Sequence, residues 1–425
     1  MSHFFHLDGV LHADSIALPA IAAQFGTPTY VYSKAALVDN FAAFADACAG
    51  RDALVCYAMK ANSNLAILDL LARRGAGFDI VSGGELLRVL AAGGDPRKVI
   101  FSGVGKSADE MRLALAHDIL CFNVESIPEL HRLNAVAGAM GKQARVSLRV
   151  NPNVDPKVHP YIATGLKASK FGVAFDDALA TYRAAADLAH ITPVGIDCHI
   201  GSQLLDDAPL LQALDKLIEL IDALRTEGIV LDHLDMGGGI GINYGENGGA
   251  QPVPAGAYVG RVFARIDAWR DEKYGGAPIK VIFEPGRAIV GDCGVLLTRV
   301  EYLKPGAEKN FCIVDAAMND VMRPALYQAW MDVQAVTPHA GAALTYDVVG
   351  PVCESGDWLA RERPLAVAEG DLLAIMQAGA YGFTMASNYN TRGRAAEVMV
   401  DGDQVHRIRE RENPADLFAL EKRLP

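Results

Sequence analysis

The chain has 425 residues, of which 51% are hydrophobic and 21% charged, and it carries a formal net charge of −12. That length allows two domains, one of them a barrel of about 250 residues, and the composition is that of a globular, soluble chain. The acidic balance argues against nucleic acid or an anionic membrane as a partner, while a locally basic site can still take an anionic ligand.

Residues 1–10 hold neither a basic run nor a long apolar run, so no signal peptide, no transmembrane span and a cytoplasmic location are expected. The seven cysteines, Cys48, Cys56, Cys121, Cys198, Cys293, Cys312 and Cys353, are odd in number and widely spaced, and none forms a Cys-x-x-Cys. Neither a disulfide framework nor a zinc site is expected from them, and no metal is assigned.

Up to about residue 35 the chain shows short strand-like pieces such as Thr29-Tyr-Val-Tyr32, and an alanine-rich amphipathic pattern predicts a helix over 34–50. Apolar strands are then predicted over 53–60, 77–82, 98–103, 119–125, 144–151, 193–200, 231–237 and 280–284. Helical patterns lie between them, at 84–92, 107–116, 127–139, 176–189, 209–227 and 256–273. Eight apolar strands alternating with helices predict an α/β fold, a (β/α)8 barrel of the TIM type; a doubly wound open sheet is the competing architecture. Beyond about residue 291 the pattern changes to strands joined by turns, at 295–303, 311–315, 346–350, 371–376, 397–400 and 404–408. The expected organisation is an N-terminal segment, 1–35, joining a mostly β C-terminal domain, 291–425, with the barrel at 36–290.

Barrels of this kind place functional residues at the carboxyl ends of their strands. Here those ends carry Lys60, Asp79, Ser82, Asn123, Glu125, Arg149, Asn151, His199, Gly237-Gly238-Gly239 and Glu284-Pro-Gly-Arg287. Lys60 closes an apolar run, Leu-Val-Cys-Tyr-Ala-Met, at the edge of a cleft; partial desolvation there favours the neutral amine that attacks carbonyls. Taken alone, the stretch favours the plainer reading of a lysine snorkelling to water. The run Gly237-Gly-Gly-Ile-Gly241 offers bare backbone amides to a phosphate, or serves only as a tight turn; it does not match Gly-x-Gly-x-x-Gly. Glu284 suits a protonated ring nitrogen, or an ordinary ion pair with Arg287. His199 suits a planar ring face or proton transfer, or a place in the core. An amine, a phosphate cradle and a carboxylate for a ring nitrogen together meet the needs of pyridoxal phosphate.

Six stretches, Tyr57-Ala-Met-Lys60-Ala-Asn62, His199-Ile-Gly-Ser-Gln203, Gly237-Gly-Gly-Ile-Gly241, Glu284-Pro-Gly-Arg287, Cys353-Glu354-Ser-Gly-Asp357 and Gly379-Ala-Tyr381-Gly382, resemble those of the alanine-racemase-fold pyridoxal phosphate decarboxylases. They occur in the family's order over nearly the whole chain, and the diaminopimelate decarboxylase group matches best. The resemblance implies that Lys60 takes the cofactor's aldehyde, and that Asp79 and His199 flank the ring. It further implies that Gly238, Gly239, Gly286, Arg287 and Tyr381 hold the phosphate end and that Glu284 meets the pyridine nitrogen. Cys353 is implied as the acid of the reaction, reaching the partner's site in a homodimer. Arg287, Arg323, Tyr327, Glu354 and Tyr381 are implied as substrate contacts. Arginine forks suit a second carboxylate, and Glu354 suits a second ammonium.

His159-Pro-Tyr161-Ile-Ala-Thr164 and Lys170-Phe-Gly172 resemble the family's mobile loop after the fifth strand. The expected activity is decarboxylation of meso-diaminopimelate to lysine. The alternatives are a decarboxylase of ornithine, arginine or a carboxylated polyamine precursor, and a non-catalytic pyridoxal-phosphate carrier.

Overall fold

The computed structural model describes residues 3–155, 169–246, 249–273 and 278–425. Its chain divides into two compact units, one formed by Phe41–Ile242 with Gln251–Ala288, the other by Met1–Asn40, Asn243–Ala250 and Ile289–Pro425.

The first unit is a barrel of parallel strands, Ala53–Ala58, Gly77–Ile80, Val99–Phe101, Cys121–Val124, Ala144–Asn151, Ile191–Asp197, His233–Asp235 and Lys280–Phe283. Each pairs in parallel with the next. The eighth returns to the first through Ile282 opposite Leu54, which closes the ring and removes the open-sheet alternative. Strands buried on both faces explain the near-continuous apolar runs. Phe78, Phe101 and Phe122 are fully buried side chains of the second, third and fourth strands, each contributing on the order of 2–3 kcal/mol.

Helices follow the strands, and three of them start alike. Ser82, Ser107 and Ser126 each accept the backbone N–H of a glutamate three residues on, Glu85, Glu110 and Glu129. This is a helix-start signal legible in sequence as Ser-x-x-Glu. The glutamates then tie neighbouring starts together. Glu110 also accepts from Gly83, one helix earlier, and Glu129 accepts the ammonium of Lys106 at 2.7 Å. The helix Leu65–Ala72, capped by Asn64, has no counterpart in the predicted list, because its all-apolar face gives no amphipathic contrast.

The second unit is built on a nine-stranded sheet. Its long central strand, Gly294–Lys304, pairs antiparallel with Thr29–Ser33, Asn310–Val314 and Leu372–Ile375. Thr29–Ser33 pairs on its other side with Ala396–Asp401. Strands Trp358–Leu365 and Val333–Ala335 complete regions where short apolar runs are broken by Arg361, Glu362, Arg363 and Gln334 and so escape a periodicity reading. Leu11, Leu18, Ile21, Val31, Val295 and Leu297 are part of one buried cluster in this unit. Among the described residues no helix is long and apolar enough to cross a membrane.

Candidate active site

The first barrel strand stops at Ala58, and Lys60 sits in a single 3-10 turn, Met59–Ala61. Its Nζ donates to Oδ2 of Asp79 at 2.7 Å. Asp79 is fully buried in the second strand, whereas the Lys60 side chain keeps 35% of its surface open. Where the sequence suggests a bare neutral amine, the structure shows an ion pair that holds the amine in place.

His199 follows the sixth strand and is half-buried. The N–H of Gly238 donates to its Nδ1 at 3.2 Å, so the proton of the neutral ring belongs on Nε2. Burial, then the cations Arg149 and Lys60, push its pKa well below the usual imidazole value. Arg149 donates to the His199 carbonyl at 3.3 Å and to Glu125 at 3.2 Å, and lies 4.7 Å from the centre of the Phe171 ring. Glu125 also accepts from Gly103 and from Gly172. Lys170–Gly172 is thereby anchored to the barrel, while His159–Thr164 lies outside the described residues.

The glycine turn leaves no space for side chains. A Cβ on Gly237, Gly238 or Gly239 would stand 2.3 Å from Cys198 O, 2.3 Å from Glu284 O and 2.7 Å from Gly201 O respectively. Gly237 and Gly239 also have φ of 61° and 123°, the region that favours glycine. Gly286 approaches the Lys60 turn, where a Cβ would lie 3.0 Å from Ala58 O. Arg287 donates to Ser202 Oγ at 3.3 Å.

Glu284 is buried, and its Oε1 has no protein hydrogen-bond partner. Two acids absent from the sequence-derived candidates stand beside it. Asp197 and Asp235 are register partners on the sixth and seventh strands, and one oxygen from each lies within 4.8 Å of the others and of Glu284. Burial first, then mutual repulsion, push Asp197 and Glu284 well above the ordinary carboxylate range; Asp235 rises to about 7. The signal that marks them in the sequence is an acid inside an otherwise apolar strand.

The other predicted residues lie in the sheet unit. Arg323 opens the short helix Arg323–Tyr327, is buried, and sets its guanidinium 4.3 Å from the centre of the Tyr244 ring. Tyr327 ends that helix, and Tyr381 takes a φ of 55°. Cys353 and Glu354 are exposed on a loop. Asp357 accepts the backbone N–H groups of Val352 and Met318 and so braces that loop from beneath. The Cys353 N–H donates to Asn390, and Tyr389 hydrogen-bonds to Glu354.

The arrangement in the barrel gives a placed amine, a backbone cradle, a neutral imidazole and an acid pair at one mouth. Comparison with known proteins agrees with it. Residues 34–291 match the family model of the pyridoxal-dependent decarboxylases, pyridoxal binding domain. The diaminopimelate decarboxylase of Pseudomonas aeruginosa is 58% identical over 425 residues, covering 100% of both chains. Helicobacter pylori diaminopimelate decarboxylase complexed with L-lysine superposes with a TM-score of 0.89 at 43% identity, over 95% of this chain and 99% of that one. The enzyme of the same name from M. jannaschii, in co-complex with L-lysine, gives a TM-score of 0.93 at 36% identity, over 100% and 99%. The chain belongs to the pyridoxal-dependent decarboxylases, in the diaminopimelate decarboxylase group.

Proposed function

We propose that this chain binds pyridoxal 5′-phosphate and decarboxylates meso-2,6-diaminopimelate to L-lysine and carbon dioxide, the closing step of lysine biosynthesis. The observation that carries the reading is the barrel mouth. Lys60 is ion-paired with Asp79, the turn at 237–239 has room only for backbone, and Glu284 is buried with an oxygen lacking a protein partner. A buried carboxyl oxygen with no protein donor is costly unless a ligand or a proton meets it.

The bound cofactor supplies an electron sink for the pair left when carbon dioxide departs. Lys60 would hold its aldehyde end. Gly238, Gly239, Gly286, Arg287 and Tyr381 would hold the phosphate end. His199, neutral, would lie against the ring face, and Glu284 would hold the ring nitrogen with its proton. Cys353 delivers the proton that replaces carbon dioxide, and Glu354 takes the substrate's distal ammonium. Arg323, with Arg287 and Tyr327, takes the distal carboxylate.

Cys353 and Glu354 are exposed on the single chain, which suits residues that complete a second copy's site in a homodimer. The cysteines are all unpaired, which suits a cytoplasmic enzyme.

The test is to incubate the purified protein with pyridoxal phosphate and meso-diaminopimelate and to quantify lysine. Wild type forms lysine; Lys60→Ala forms none and shows no cofactor-linked visible absorbance after gel filtration. Absence of lysine with wild type, or an intact absorbance band in Lys60→Ala, contradicts the reading.

A further inference from the structure

Asp235 belongs to the seventh barrel strand and is fully buried. Its Oδ1 accepts the N–H of Gly237 at 2.8 Å, at the first residue of the glycine turn. On its other side a carboxyl oxygen of Asp235 lies within 4.8 Å of one of Glu284. Two carboxyl groups hydrogen-bond only if one of them carries a proton. Asp235 Oδ2 and Glu284 Oε1 also lack any protein hydrogen-bond partner, and a proton held by the pair gives such oxygens a partner. Glu284 is tied back in turn, its N–H donating to the Gly237 carbonyl at 2.8 Å.

We infer that Asp235 is the positioning residue for Glu284. One of its oxygens fixes the glycine turn, and its carboxyl shares a proton with Glu284, so that the pair presents one net negative charge to the cofactor's ring nitrogen. The inference rests on the reading of the previous subsection and deepens it. The strand register explains why the sequence places an acid here. Asp235 stands opposite Ile282 on the eighth strand, two residues before Glu284, and opposite Asp197 on the sixth.

The groups facing the pair are few. Lys60 and Asp79 lie on the side of the first two strands, and Asp197 on the side of the sixth, with Arg149 and Glu125 around it. The thiols of Cys56, Cys121 and Cys198 and the Tyr258 hydroxyl are buried and pushed upward, so they stay neutral. His199 also stays neutral. Among these groups Asp235, raised to about 7, is the one that changes charge near neutrality.

The experiment titrates full-length apoprotein with pyridoxal phosphate across pH 6 to 9, by visible absorbance, for wild type, Asp235→Asn and Asp235→Ala. Asparagine keeps an acceptor for Gly237 and removes the shared proton. The upper ionisation in the binding profile should then move down by on the order of one pH unit, because a buried like charge next to Glu284 is gone. Alanine also removes the acceptor, and it should bind the cofactor about tenfold more weakly than asparagine at every pH. Wild-type and Asp235→Asn profiles that are parallel overturn the shared proton, and equal affinities of the two variants overturn the tie to the turn. Should the Asp235 variants not fold, Asp197→Asn leaves the turn intact and should shift the same ionisation downward; an unmoved profile overturns the inference. Wild-type protein that binds no cofactor contradicts the earlier reading instead.

Discussion

His199 shows how much of this site is electrostatics rather than contact. Its ring is held neutral by burial, by Arg149 and Lys60, and by a backbone N–H directed at Nδ1. Its imidazole NMR signals should show no titration between pH 6.5 and 8; a midpoint near 6.5 would contradict that. A second histidine, His233, carries a stability consequence. It is buried at the start of the seventh strand, and its pKa falls from 6.5 to about 4, chiefly through that burial. Between those values the unfolded chain binds a proton that the folded chain refuses, so stability is lost as pH falls from about 6.5 to about 4. The full loss is about 3 kcal/mol. The buried carboxyls with raised pKa act in the opposite sense. The test is therefore the difference in urea-unfolding free energy between wild type and His233→Gln. Wild type should lose stability relative to the variant as pH drops from 7 to 5, and a pH-independent difference would contradict the account. Lys60, His199, the glycine run and Glu284 were legible as residues because each stands where an apolar run breaks. Asp235 and Asp197 were not, because strand reading treats an internal acid as a flaw in the pattern, although both lie at the inner end of the run.

At the scale of elements, all eight barrel strands were legible from apolar runs bounded by turns, although the predicted ends run up to three residues too far. Met59, Val81, Cys198 and Met236 prolong the apolar runs past the paired residues, and only the ladder decides where pairing stops. The links between helix starts were not legible, since they join residues distant in sequence. Lys106 is the clearest. Its ammonium is fully enclosed and donates to Gly103 O, Asn123 O and Glu129 Oε1, each at 2.7 Å. It thus ties the loop after the third strand to the fourth strand and to the helix Ile127–Ala139. Lys106→Met leaves Glu129 buried without its cation and should cost about 3–5 kcal/mol in chemical unfolding. A loss below about 1 kcal/mol would show that the link is incidental. The sheet unit was less legible, because strands interrupted by charged residues, such as Trp358–Leu365, carry no clean period.

At the scale of the molecule, the two units supply different parts of the proposed chemistry. The barrel carries Lys60, His199 and Glu284, and the sheet unit carries Arg323, Cys353 and Glu354. If Cys353 completes the partner's site, mixing inactive Lys60→Ala with inactive Cys353→Ala should restore activity. Random exchange makes half the dimers mixed, each with one whole site of two, so recovery should reach about a quarter of wild type. No recovery, despite subunit exchange shown by mass spectrometry, would place Cys353 in its own subunit's site. The central claim concerns the substrate, and carbon dioxide release from a panel tests it most directly. The panel is meso-diaminopimelate, ornithine, arginine, lysine and carboxynorspermidine, each supplied with pyridoxal phosphate. Arg323 and Glu354 predict release from meso-diaminopimelate with stoichiometric lysine, and a kcat/KM at least about a thousandfold above the others, since the others lack a distal carboxylate for an arginine fork. Release from ornithine or carboxynorspermidine, with none from meso-diaminopimelate, would contradict it.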